Sequence, residues 1–313
     1  MNVLFDDFAG PALASRFAAL AADGLHVSIR PPDDEAGYLD GMRTADAMWH
    51  TLKPVTGEAI ASAPKLRLIQ KIGAGVNTIA IDAAKARGIA VCNLPGSNAR
   101  AVAEHALLLM LATLRRLPML DAALRRGTWA VAPAMQDRFG ELGGLTVGLV
   151  GYGAIPRLLA PMLAAMGCEI LYTARSPHED AVGRFRRLPE LLAESDIVSL
   201  HIPLTPETRH TIDRAALRNF RPGAILINTA RGGLVDQAAL LDALDHGPLA
   251  AAGLDVFENE PIDAADPLLT RENVVVTPHI GWLTPQTWGR SLDIAVANLR
   301  RLAAGEPLLH RVA

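Results

Sequence analysis

Short runs rich in valine, isoleucine and leucine alternate with Ala/Leu-rich helical patterns along the whole chain, and this alternation constrains the fold more than any other feature. It predicts an α/β protein whose parallel sheets are covered by helices on both faces. Candidate strands fall at residues 3–5, 26–29, 45–49, 68–72 and 90–93 in a first wing. A second wing offers 146–150, 169–173, 197–200, 224–228, 251–256 and 274–277. Six strands with intervening helices make a full dinucleotide-binding sheet. Between the wings, residues 98–116 read as a helix, with Asn98 placed to cap it and Pro118 to stop it soon after its end. Residues 127–142 lack periodicity and read as a loop. A helix over residues 285–304 is long enough to cross back and complete the first wing. The expected domains are therefore 1–97 with 285–313, and 98–284.

Composition narrows the classes. Of the 313 residues, 50% are hydrophobic and 20% charged, which suits a globular rather than a disordered chain. A net charge of -3 leaves no basic footprint for nucleic acid. No apolar run approaches the ~20 residues of a membrane span, and the N-terminus shows no secretory signal. Cys92 and Cys168 lack metal-ligand spacing. They read as reduced, buried thiols of a cytoplasmic protein, and no metal site is expected.

The segment 148–156 follows one candidate strand and opens a helix. Gly151 permits a tight turn and Gly153 a close approach of backbone to a pyrophosphate. The amides of Ala154 and Ile155, at a helix N-terminus, would face the phosphates. Pro156 stands where the third glycine of the fingerprint belongs, which is tolerable in a first helical turn. Pro161 adds an expected kink. At the end of the next strand, where a ribose-binding carboxylate is expected, the chain has Ala174-Arg175-Ser176. A guanidinium in that place suits a 2′-phosphate, so NADP(H) is expected over NAD(H).

Six stretches then fall in one order, beginning with Asn93-Leu94-Pro95-Gly96-Ser97-Asn98, Ala101-Val102-Ala103-Glu104-His105-Ala106 and His201-Ile202-Pro203-Leu204-Thr205-Pro206-Glu207-Thr208. Ile227-Asn228-Thr229-Ala230-Arg231-Gly232-Gly233-Leu234-Val235-Asp236, Gly253-Leu254-Asp255-Val256-Phe257-Glu258-Asn259-Glu260-Pro261 and Thr277-Pro278-His279-Ile280-Gly281-Trp282 follow. Over nearly its full length the chain resembles the D-isomer-specific 2-hydroxyacid dehydrogenase family. The resemblance implies a Rossmann dinucleotide-binding domain, a flavodoxin-like substrate domain made from both termini, a cleft at their junction and a homodimer. It assigns Arg231, Glu260 and His279 as the catalytic set. It also places Thr229, Ala230 and Asp255 along the nicotinamide, and Ala74 and Gly75 in a loop whose amides bind the substrate carboxylate. Trp282 would close over substrate or simply pack, and Trp49 would face the cleft or belong to the core.

The chemistry agrees with these roles. A 2-keto acid sets a planar carboxylate beside a ketone, and the guanidinium fork of Arg231 can grip the first and polarise the second. Hydride transfer leaves the ketone oxygen needing a proton, and imidazole is the side chain that titrates near neutrality. Glu260 would hold that imidazole. Neighbouring helical residues diverge by ~100°, so Glu104 and His105 read as structural rather than as an acid/base pair. The expected activity is D-stereospecific glyoxylate/hydroxypyruvate reductase-like chemistry. A nicotinamide-binding sensor or scaffold on the same fold is the alternative.

Overall fold

The computed structural model describes residues 1–129 and 131–313, which form two compact units: Met1–Asn98 with Thr284–Ala313, and Ala99–Leu283. The first unit holds β1 (Asn2–Phe5), β2 (His26–Ile29), β3 (Ala47–His50), β4 (Leu68–Lys71) and β5 (Ala90–Cys92). All are parallel, in the order β2-β1-β3-β4-β5, the flavodoxin-like arrangement. β3 and β4 are buried throughout, as strands covered on both faces must be.

The helix Pro285–Ala304 belongs to this unit. Thr284 caps it by accepting from the Thr287 amide, Pro285 supplies a pre-set first turn, and Gly305 ends it with φ 70°. Its Trp288 packs edge-on against Phe5, with ring centroids 5.7 Å apart. The buried amide of Asn298 donates to the side chain of Gln70 on β4 at 2.7 Å. Trp49 is core, wholly buried against Phe17.

The second unit carries β6 (Thr146–Val150), β7 (Glu169–Thr173), β8 (Arg184–Phe185), β9 (Ile197–Leu200), β10 (Ala224–Asn228), β11 (Leu249–Leu254) and β12 (Val274–Val276). They form one parallel sheet ordered β12-β11-β10-β9-β6-β7-β8, with its switch point between β6 and β9. The helix Ala99–Leu114 packs against β11 at Gly253, where an added Cβ would lie 3.1 Å from Leu109 Cβ.

Three expectations need correction. Pro118 does not stop the preceding helix. It opens another, Leu117–Arg125, after a break at Arg116, whose φ is 49°. A proline has no amide to lose in a first turn, so it starts a helix as readily as it follows one. The segment 127–142 contains one helical turn, Pro133–Gln136, while its Ala130 lies outside the described residues. The seventh strand, β8, has only two residues, neither of them buried, and so leaves no apolar run to read.

Candidate active site

In a parallel sheet the carboxyl ends of the strands point to one edge, where ligands gather. At that edge of the second sheet, β10, β11 and β12 deliver Arg231, Glu260 and His279. The turn after β10 is latched by buried Asn228, which accepts from the Ala230 amide at 3.0 Å and donates to the Arg231 carbonyl at 2.9 Å. Gly232 follows because nothing larger fits. A Cβ there would fall 1.8 Å from the carbonyl carbon of Phe257. This close approach sets the Arg231 turn against the segment leading to Glu260. Burial pushes the Arg231 pKa down, opposed by the nearby Glu260 carboxylate, so the two side chains sense each other.

Glu260 is held at both oxygens. Oε1 accepts from the Phe257 amide at 2.9 Å, and Oε2 lies 2.6 Å from His279 Nδ1. A carboxylate only accepts, so Nδ1 carries the proton and Nε2 faces outward. Among the described residues Nε2 has no hydrogen-bond partner in the structure. His279 has φ 53°, uncommon for a side chain with a Cβ, and its amide donates to the carbonyls of Asp255 and Thr277. The Trp282 indole donates to the His279 carbonyl at 3.1 Å.

Asp255, 2% exposed, organises the loop that carries His279. Its Oδ1 accepts from Thr277 Oγ1 at 2.6 Å and the Ile280 amide at 2.9 Å, and Oδ2 accepts from the Gly281 amide at 2.8 Å. His105 Nε2 stands 2.9 Å from Thr277 Oγ1 and 3.4 Å from Asp255 Oδ1. Burial raises the Asp255 pKa, but the bonds from His105, Thr277, Gly281 and Ile280 outweigh it and hold the carboxyl below its ordinary 3.8. A folded-state value below the unfolded one gives stability that is complete above about pH 3.8 and lost as pH falls through the folded value. The stability gap between wild type and Asp255→Asn, followed by denaturant unfolding from pH 6 to pH 2, is therefore expected to narrow on acidification. A gap unchanged across that range would refute it.

At the switch point, Gly151 has φ 100°, and a Cβ there would meet the His201 carbonyl oxygen at 2.8 Å. His201 itself is half-buried, and desolvation lowers its pKa to about 3. Gly153 caps the helix Ala154–Ala165, leaving the amides of Ala154 and Ile155 in the first turn without intrahelical acceptors. Pro156 is buried there, and the helix continues through Pro161 without interruption. Arg175 and Ser176 lie exposed just after β7. Their loop is pinned by two tyrosine hydroxyls: Tyr172 accepts from the His178 amide at 2.8 Å, and Tyr152 from the Val182 amide at 2.7 Å.

These features fit a nicotinamide dinucleotide. Among the described residues the Thr229 hydroxyl, buried just after β10, has no hydrogen-bond partner, and Asp255 Oδ2 retains an unused lone pair. Ala230 follows Thr229 in the same latched turn. In the first unit, Ala74 and Gly75 lie in the loop after β4, which Asn93 ties down through the Ala74 carbonyl at 2.7 Å.

A sequence model described as the D-isomer specific 2-hydroxyacid dehydrogenase NAD binding domain matches residues 107–281. The chain belongs to this family. Among its relatives, the D-3-phosphoglycerate dehydrogenase of Mycobacterium bovis is 40% identical over 296 residues, covering 92% of this chain and 55% of that one. The chain thus spans about half the length of that dehydrogenase. The glyoxylate reductase of Korarchaeum cryptofilum is 39% identical over 282 residues, covering 88% of this chain and 85% of the other. Among solved structures, a glyoxylate reductase from Paecilomyes thermophila superposes with a TM-score of 0.84 at 30% identity, covering 100% of this chain and 98% of its own.

Sequence reasoning left two contributors without a site role: His105, read as structural without a partner, and Gly232, read only as part of a motif. His105 reaches its partner Thr277 across 172 positions, a separation no local pattern encodes. The two consecutive glycines 232–233 were the available signal for a close backbone approach.

Proposed function

We propose that the chain is an oxidoreductase that reduces a small 2-keto acid to the D-2-hydroxy acid, with glyoxylate or hydroxypyruvate as substrate and NADP(H) preferred over NAD(H). The observation that carries this reading is the Glu260–His279 pair at 2.6 Å, beside the buried guanidinium of Arg231. Gly151, Gly153 and the amides of Ala154 and Ile155 would hold the dinucleotide, which would supply the hydride. Arg231 grips the substrate carboxylate and draws electron density toward the ketone oxygen. His279, entering the step protonated on both ring nitrogens, gives its Nε2 proton to that oxygen and is left neutral, its Nδ1–H still held by Glu260. In the oxidative direction His279 takes the proton back. The amides of the Ala74–Gly75 loop are assigned to the substrate carboxylate, and Trp282, bonded to the His279 carbonyl, to the substrate side of the imidazole.

The NADP(H) preference rests on Arg175, which makes no ion pair among the described residues and so is free to meet a 2′-phosphate, with Ser176 beside it. A homodimer through the second unit belongs to the same reading, supported by the exposed apolar side chains Leu117, Leu124 and Trp129. The test is loss of reduced-nicotinamide absorbance with NADPH and NADH in parallel, against glyoxylate, hydroxypyruvate, pyruvate and phenylpyruvate. Consumption with one of them supports the reductase. A cofactor that binds while no substrate consumes it would favour the sensor alternative. Arg175→Ala is expected to weaken NADPH by about 1.5–3 kcal/mol, the worth of a charge-assisted contact, and NADH much less. Equal losses for both cofactors would remove the phosphate assignment.

A further inference from the structure

The amino edge of the second sheet, opposite the edge that carries His279, holds a cavity of about 320 Å³. It is lined by Arg116, Arg138, Arg271, Glu272, Asn273, Met135 and Ala250. Ala250 is near the start of β11, and Asn273 immediately precedes β12. Three guanidiniums and one carboxylate therefore surround this space. Nothing in the proposed reduction uses them.

The arginines are incompletely satisfied. Arg271 binds Asp245 through both terminal nitrogens, yet its Nε is buried with no partner among the described residues. Among the described residues the Nε of Arg116 is likewise buried and unpartnered. A guanidinium N–H withdrawn from water without an acceptor is costly, and such groups are rare in native structures unless a water or ion completes them. Arg116 is also held where few residues rest, in the left-handed region at φ 49°. Burial lowers its pKa, and the adjacent positive charge of Arg138 lowers it further, against a smaller opposing pull from Glu272. Like charges gathered around two orphan donors describe a site short of an anion.

We propose that this cavity binds a phosphate group, either free phosphate or that of a small phosphate ester. The guanidinium fork matches tetrahedral oxyanions, and a doubly charged phosphate would accept from both orphan N–H groups while relieving the repulsion between Arg116 and Arg138. The site stands apart from the dinucleotide loop, because Gly151 and Gly153 follow the carboxyl end of β6 and this cavity lies at the amino ends of β11 and β12.

The test is calorimetric titration of inorganic phosphate, with glycerol phosphate in parallel, into the full chain with and without saturating NADPH, at ionic strength matched with sodium chloride. One saturable site that persists with NADPH is expected. A tighter ester would indicate an organic source for the phosphate. Arg138 is exposed and makes no side-chain bond among the described residues, so Arg138→Ala should unfold at the wild-type temperature while weakening phosphate about tenfold or more. Arg116→Gln should do the same. Absence of saturable heat, unchanged affinity in both variants, or loss of phosphate binding on adding NADPH or in Arg175→Ala would each overturn the proposal.

Discussion

His279→Ala is expected to lower kcat by about 10²–10⁴-fold, the usual worth of a positioned general acid, while the affinity for NADPH changes little. The separation follows from geometry. His279 engages Glu260 and the Asp255 loop, whereas the glycine turn and the helix Ala154–Ala165 lie at the switch between β6 and β9. Stopped-flow turnover together with fluorescence titration of NADPH checks both halves. Normal turnover with weakened cofactor would remove His279 from the acid role. Glu260→Gln provides a graded companion. Its amide can still accept from Nδ1–H, so its loss should be smaller than that of the alanine variant at His279.

Gly232→Ala is expected to be nearly as damaging, through the backbone rather than through chemistry. A Cβ 1.8 Å from the Phe257 carbonyl carbon and 1.9 Å from its oxygen meets atoms that cannot rotate away. Either the Arg231 turn or the 257–258 segment must move, and each displacement separates Arg231 from Glu260. A stability loss of about 3 kcal/mol or more, with a fall in kcat, should appear in denaturant melts and turnover of the same sample. Gly233→Ala makes a sharp control, because its Cβ would meet only side-chain ends, Leu204 at 3.1 Å and Arg209 at 3.5 Å. If the two variants behaved alike, the close approach at Gly232 would not be what seats the turn.

Strand bounds were legible in the sequence for buried and part-exposed strands alike, since β2, none of whose residues is buried, matches the expected 26–29. Residues 146–150, 169–173, 197–200 and 224–228 are apolar runs, and each became the strand expected there. β8 stayed hidden because its pairing is set by packing at Gly183, φ 116°, where a Cβ would meet the Ile170 carbonyl at 2.6 Å. Arg231, Glu260 and His279 were identifiable through resemblance, since each alone reads as an ordinary loop residue. What no pattern disclosed is the support beneath them. His105, Asp255 and Thr277 converge from the middle of a helix and from the ends of two strands, and helical periodicity marks a face without naming what it touches. The first unit hid buried charge in the same way. Asp6 and His50 form a wholly buried pair at 2.7 Å, joining residues 44 positions apart.

The return of the helix Pro285–Ala304 to the first unit imposes an order on biosynthesis. Residues 99–283 form a continuous stretch that can close its own sheet once it has left the ribosome. Residues 1–98 cannot finish theirs, because Trp288 against Phe5 and Asn298 against Gln70 arrive only with residues 284–313. At about 5–20 residues per second, the intervening 185 residues (283 − 98) keep the N-terminal segment waiting for roughly 10–40 s. Throughout that interval β1 and β4 lack the cover that Trp288 and Asn298 bring, so the segment 1–98 waits for residues 284–313 before its sheet is complete.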